Sequence, residues 1–378
     1  MFCGRLCDWR IRSIRAAGCV CAVATGVAGD AKEAPLTRDD SMWEPSLVAK
    51  LAGGYKDNVA LSQSNPEASA FVRAAVDAVA VRLPIDGTQL TFLLLGEDTR
   101  YFSSATVEHE DFLFGQAEVR RFWLNDWQGA VSFEGAYIDQ VVDLSVTETN
   151  QTRLVVKGGT IVGRPSLRRE LSPNWWLGLE SPFTRQMFDG LPDDYWVGAP
   201  KVTVGQTYGN ASEVTFGYEY AYRHYDTDPA RAADQTPLTN TTRISYNHEI
   251  QGAWKHHWDE GRRFRSLTRV SYRVSLDNAS GYFDYDRFQV SEQFRFQAGS
   301  WELSVEGRLA HYRFPIQKGT NEKDDRERGD IGVTVHIEYA LGRRTRLFAE
   351  YDLAQTVSNL EVEEYTANTV LGGVSVEF

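Results

Sequence analysis

From about Ser46 to Phe378, apolar and polar side chains alternate with a period of two. In 213–224, Val214, Phe216, Tyr218, Tyr220 and Tyr222 alternate with Glu213, Thr215, Gly217, Glu219, Ala221 and Arg223. In 331–341, Ile331, Val333, Val335, Ile337, Tyr339 and Leu341 alternate with Gly332, Thr334, His336, Glu338 and Ala340. In 301–309, Trp301, Leu303, Val305 and Leu309 oppose Glu302, Ser304, Glu306 and Arg308. Such strands place one row of side chains on each face of a sheet. Many of the alternating segments run well past the roughly five or six residues of a soluble strand and reach the roughly nine to eleven that a tilted membrane-spanning strand needs.

The connections alternate in length as well. Short turns fall at 84–87, 125–128, 208–212, 259–262, 297–300 and 341–344, and longer polar stretches at 225–238, 275–285, 316–330 and 358–366. Short turns on one side and long loops on the other mark a transmembrane antiparallel up-and-down β-barrel. Sixteen strands are predicted, near 46–60, 69–83, 88–102, 112–124, 128–144, 151–163, 173–186, 195–207, 212–225, 240–257, 263–276, 286–297, 300–314, 330–341, 344–356 and 365–378. Pro165, Pro173, Pro182 and Pro200 interrupt the pattern in 160–200 and leave fourteen as the alternative count, because proline donates nothing to a ladder. An even count puts both ends of the barrel on the periplasmic side.

The first residues read differently. Arg5, Arg10, Arg12 and Arg15 precede the small, apolar run 16–29, the pattern of a secretory signal peptide over 1–29. Residues 30–45 read as a flexible periplasmic lead-in and 46–378 as the barrel. All four cysteines, Cys3, Cys7, Cys19 and Cys21, lie in the leader, so the mature chain offers no disulfide, thiolate ligand or thiol nucleophile. Loss of the leader removes four arginines and one aspartate and takes the formal net charge from −12 to −15. That balance argues against a nucleic-acid partner.

The apolar rows are expected to face lipid, with Trp123, Trp175, Trp254, Trp258, Trp301, Phe264 and Phe378 in an interfacial girdle. The polar rows are expected to face the lumen. Arg243, Asn247, Glu249 and Lys255 are followed by Arg265, Arg269 and Arg273, then Arg287, Gln289, Gln293 and Arg295, then Glu302, Glu306 and Arg308. This arginine stripe beside carboxylates reads as the basic side of a constriction, opposed by Glu118, Glu134, Glu219, Glu338, Glu350 and Asp352. An ion-pair network that fills and rigidifies the lumen is the competing reading. Asp277, Asn278, Asp284 and Asp286 supply oxygens for a calcium ion, although their spacing is not that of an EF-hand and turn chemistry accounts for them more simply. The histidines, including His224, His248 and the pair His256 and His257, form no spacing that identifies a catalytic pair. No enzyme activity, cofactor or metal is expected.

The chain ends in 369–378, where Val370, Val374, Val376 and Phe378 share one face and an aromatic residue comes last. This resembles the closing strand by which Gram-negative outer-membrane barrels are recognised by their assembly machinery. The opening strand carries Gly54-Tyr55-Lys56-Asp57-Asn58 and resembles that of β-barrel porins associated with exopolysaccharide export or surface-lipoprotein assembly. The expected function is therefore an outer-membrane, porin-like channel for diffusion of small polar or anionic solutes. The alternative is a barrel component of exopolysaccharide export or surface-lipoprotein assembly. Outer-membrane lipid, the barrel-assembly machinery and small polar solutes are the expected partners, and a homo-oligomer is compatible with this size.

Overall fold

A computed structural model describes residues 42–84, 87–123, 126–143, 146, 153–190, 193–209 and 211–378. The predicted leader and residues 30–41 of the predicted lead-in lie outside these. Among the described residues the chain forms one closed, sixteen-stranded antiparallel barrel. Its strands are β1 (Trp43–Lys56), β2 (Ser69–Arg82), β3 (Thr88–Tyr101), β4 (His109–Phe122), β5 (Trp127–Asp143), β6 (Arg153–Ser172), β7 (Trp175–Glu180 and Phe183–Phe188), β8 (Tyr195–Gly198 and Lys201–Tyr208), β9 (Ser212–Tyr225), β10 (Ile244–His257), β11 (Phe264–Asp277), β12 (Tyr285–Ala298), β13 (Trp301–Lys318), β14 (Asp325–Ala340), β15 (Thr345–Ser358) and β16 (Tyr365–Glu377). Each pairs with its chain neighbours, and β1 pairs with β16 from Val48↔Glu377 to Lys56↔Thr369 to close the cylinder. The barrel thus begins at Trp43, inside the expected lead-in. β13 and β14 run on to Lys318 and from Asp325, so the loop expected over 316–330 shrinks to 319–324.

The prolines explain the interruptions within β7 and β8. Pro165 lies inside β6, and its carbonyl accepts the Ser181 N–H. The Pro182 carbonyl accepts the Ala199 N–H, and the Pro200 carbonyl accepts the Tyr220 N–H. Three prolines therefore cross three adjacent strands in one row, and each removes a ladder donor where its neighbour is also interrupted. The register is the same on both sides of the row, from Ser166↔Glu180 to Gly163↔Phe183, so the strand count stays sixteen.

The outer face carries the apolar row. Phe133, Phe216, Leu51, Ile161, Leu309 and Val370 are all more than half exposed. In a soluble protein such a belt would be an aggregation surface; around a closed barrel it is the band that meets hydrocarbon. Trp123, Trp175, Trp254, Trp258, Trp301 and Phe378 are exposed at the short-turn end, with Phe264 half-buried among them. Trp254 and His256 stack there at 5.4 Å, which makes His256 part of the aromatic belt. Val370, Val374, Val376 and Phe378 do share the outward face of β16, and the Phe378 N–H bonds the Leu47 carbonyl at 2.9 Å across the seam.

Candidate functional site

The inward rows border three cavities. One of about 370 Å³ lies towards the loop end. A second of about 390 Å³ is walled by β1–β4 and β12–β16. A third of about 720 Å³ is walled by β4–β13. Glu306 borders all three, which places it where they meet. Arg308 borders the first and third.

Strand register decides how the arginine stripe is arranged. Glu249 on β10 lies opposite Arg273 on β11, which lies opposite Arg287 on β12. Both arginines converge on Oε2 of the Glu249 carboxylate, Arg287 through Nη2 at 3.0 Å and Arg273 through Nε and Nη2. Arg295 pairs with Glu302 at 2.7 Å. Arg243 lies just before β10, 3.0 Å from Asp228 in the 226–243 loop, with its guanidinium between the rings of Tyr225 and Phe283. Arg269 borders the largest cavity. Arg265 and Arg308 carry no ion pair among the described residues. The stripe is therefore partly an ion-pair network and partly unpaired.

The carboxylates expected opposite are inward too. Glu118 pairs with Arg120 at 2.7 Å and Glu134 with Arg164 at 3.2 Å. Glu338 pairs with Arg346 at 2.6 Å, and His336 lies 3.2 Å from Glu350. The second cavity gathers Asp77, Glu97, Glu302, Glu338, Glu350 and Asp352 against fewer basic groups. Glu219, on β9, borders the third cavity with Arg273 3.7 Å away, so it belongs to the basic arc rather than to an opposing wall.

The alternation did not predict a crossing of the lumen. The end of β5 is buried on both faces, at Ile138, Asp139, Gln140, Val142 and Asp143. Asp143 Oδ2 lies 2.9 Å from Arg328 Nη2 on β14, seven strands away around the barrel. Arg328 also donates to Asp330 at 2.8 Å and to Thr356 at 3.2 Å. Val146, beyond the strand, packs with Tyr285, Ala310, Tyr312 and Phe314 on β12 and β13. Val141 rests against the cluster of Ala52, Val59, Phe71, Tyr101, Val107 and Leu371, and its N–H reaches Glu110 at 3.3 Å. The end of β5, with Val146 beyond it, therefore leans inward and is held on three arcs of the wall. The sequence carried one signal: in Ile138-Asp139-Gln140-Val141-Val142-Asp143 the strict alternation stops.

The opening motif has a structural task. A methyl on Gly54 would strike the Phe71 ring and the Val370 carbonyl, so the close approach at the seam requires glycine. Asp57 accepts the N–H and the side-chain amide of Asn368, each at 2.7 Å, and Asn58 donates to the carbonyls of Ser62 and Thr366. Lys56 points inward, 3.8 Å from Glu110.

The loops use their carboxylates locally. Asp277 accepts backbone N–H groups of Ala279, Gly281 and Phe283, and Asp284 accepts that of Asp277. The oxygens weighed against a calcium site thus shape a turn, in which Gly281 takes a φ of +86°. Burial pushes the Asp284 carboxyl up. Asp193 is held below the usual carboxylate range, because N–H groups of Thr227 and Asp228 outweigh its burial. Burial pushes Asp228 up against the pull of Arg243. Glu67, half-buried, is held at about 2 by hydrogen bonds from Thr106, Ser104 and Ala105, which clasp the first loop to the second. His224 and His248 face outward, as parity required, with the Tyr218 hydroxyl 2.8 Å from His248.

No family model matches this chain, and no curated protein matches it. Solved structures resemble it in fold at low identity. OccK9 of Pseudomonas aeruginosa is 10% identical with a TM-score of 0.49, over 89% of this chain and 99% of that one. The channel DcaP of Acinetobacter baumannii is 11% identical with a TM-score of 0.47, over 89% and 97%. A bacterial polysaccharide outer-membrane secretin is 9% identical with a TM-score of 0.43, over 88% and 98%.

Proposed function

We propose that this chain is a channel of the Gram-negative outer membrane through which small polar and anionic solutes diffuse. The observation that carries the reading is the division of the lumen. One arc, β9–β13, presents Arg265, Arg269, Arg273, Arg287 and Arg308, while the second cavity on the other side is rich in carboxylates. Walls of unlike charge in a confined, low-dielectric passage orient a solute and bias its sign without chemistry or cofactor. The short-turn end faces the periplasm, with the tryptophan girdle at that interface. The outward face of β16, with Val374, Val376 and Phe378, serves recognition by the barrel-assembly machinery. The Gly54–Asn58 motif closes the seam.

Replacing Arg265, Arg269 and Arg273 together by Ala moves the reversal potential measured in a salt gradient towards cation preference. Arg273→Ala alone lowers stability as well, since Glu249 then keeps only Arg287. An unchanged reversal potential and conductance in the triple variant would show that the stripe serves structure alone.

A further inference from the structure

On the outer face, the apolar rows of three neighbouring strands end at one level near the loops. On β3 the row runs through Phe92 and Leu94 and reaches Asp98. On β4 it runs through Val119 and Leu113 and reaches Asp111, then His109. On β5 it runs through Phe133 and Tyr137 and reaches Asp139. Strand register sets Asp98 opposite Asp111 and Asp111 opposite Asp139, so three carboxylates stand in one row across three strands. Like charges directly opposite one another destabilise a sheet, and the cost rises where the hydrocarbon begins and the dielectric falls.

One end of the row is neutralised locally. Arg100 meets both oxygens of Asp98, at 2.7 and 2.6 Å. The other end is not. Asp139 is 8% exposed although its row faces outward. Among the described residues no group donates a hydrogen bond to its carboxylate; its nearest basic groups are His109 Nε2 at 3.6 Å and Lys157 Nζ, on a half-exposed side chain, at 4.0 Å. Asp111 Oδ1 is buried without a hydrogen-bond partner, and Asp111 Oδ2 lies 3.7 Å from the same His109 nitrogen. One ligand atom from each of His109, Asp111 and Asp139 lies within 4.8 Å of the other two. The 3.6 and 3.7 Å separations are close to the edge, about 3.4 Å, of a tetrahedron with metal–ligand bonds of roughly 2.0–2.2 Å.

We propose that His109, Asp111 and Asp139 form a site for a first-row divalent metal cation of the Zn²⁺ type. The neutral imidazole and the two carboxylates supply three ligands, and a fourth position stays open to the outer surface. A nitrogen ligand selects such a cation over Ca²⁺ and Mg²⁺, which favour shells of oxygen alone. The ion offsets the repulsion between Asp111 and Asp139. It also ties β4 to the base of the inward-leaning end of β5, since Asp139 belongs to that segment. Neither the site nor its test requires that the barrel pass current.

The test is a calorimetric titration of the untagged barrel, purified in detergent from outer membranes and stripped with a chelator. Zn²⁺, Ca²⁺ and Mg²⁺ are added separately. One Zn²⁺ per barrel should bind, at least roughly tenfold more tightly than Ca²⁺ or Mg²⁺, and should raise the thermal unfolding midpoint. His109→Gln and Asp139→Asn change side-chain volume little. Each should weaken Zn²⁺ by roughly tenfold or more and abolish the rise in the midpoint. His109→Gln, at the half-buried start of β4, carries the comparison if the buried Asp139→Asn does not fold. No Zn²⁺ binding, or Zn²⁺ affinity unchanged in whichever variant folds, overturns the site. Ca²⁺ or Mg²⁺ bound as tightly as Zn²⁺ overturns the assignment of the cation.

Discussion

Asp143→Ala should open the lumen. The Asp143–Arg328 pair joins the tip of β5 to β14 across the barrel, and both groups are almost fully buried. Breaking a buried pair by removing one partner costs about 3–5 kcal/mol, because the other charge is stranded. Arg328 retains Asp330 and Thr356, which lowers the cost towards the bottom of that range. At about 3 kcal/mol the ratio of the latched to the released end of β5 falls by roughly two orders of magnitude. Val146 and Val141 still hold the tip by apolar contact, so the released state is an excursion rather than a collapse. The expected record is a higher mean single-channel conductance with added transitions between levels. Arg328→Ala should act in the same direction, and the double variant should fall short of the sum of the two, with a coupling of about 1–3 kcal/mol. Traces identical to those of the unsubstituted protein would mean that the end of β5 does not limit flow.

The second large effect concerns the pair that ties the last loop to the wall. Arg326 on β14 is 1% exposed and Glu363, in the short helical turn between β15 and β16, is 0% exposed. The contact is bidentate, through Nε at 3.2 Å and through Nη2. Arg326 also lies over the Phe314 ring at 4.0 Å and donates Nη1 to Gln317, while the Ser358 hydroxyl donates to Glu363 at 2.8 Å. Glu363→Gln leaves the guanidinium buried without a counter-charge and should destabilise the barrel by about 3 kcal/mol in urea unfolding from micelles. Replacing both residues by apolar side chains of similar volume should restore most of that loss, because the desolvation penalty of both charges disappears together. A double variant weaker than Glu363→Gln would show that the pair, and not its volume, holds the loop.

The architecture was legible because a barrel strand must obey one rule along its whole length. Val214 to Tyr222, Ile331 to Leu341 and Trp301 to Leu309 follow it, and short turns such as Gly299-Ser300 punctuate it. The prolines of 160–200 obscured two strands, since their effect depends on which carbonyls and donors face one another across three strands. The inward direction of the arginines was legible by parity. Their partners were not, because Glu249, Arg273 and Arg287 meet only through the register of three strands. The inward end of β5 was the largest omission. Only the loss of alternation at Val141-Val142 marked it, and a pair between Asp143 and Arg328 has no local signature at that separation in the chain.

The central claim is that the folded barrel is a conduit. The measurement that tests it most directly is the single-channel current of the refolded mature protein in a planar bilayer under a salt gradient. Steady open steps of small amplitude are expected, limited by the inward end of β5, with a reversal potential that favours anions. A correctly folded barrel that inserts and passes no current would contradict it.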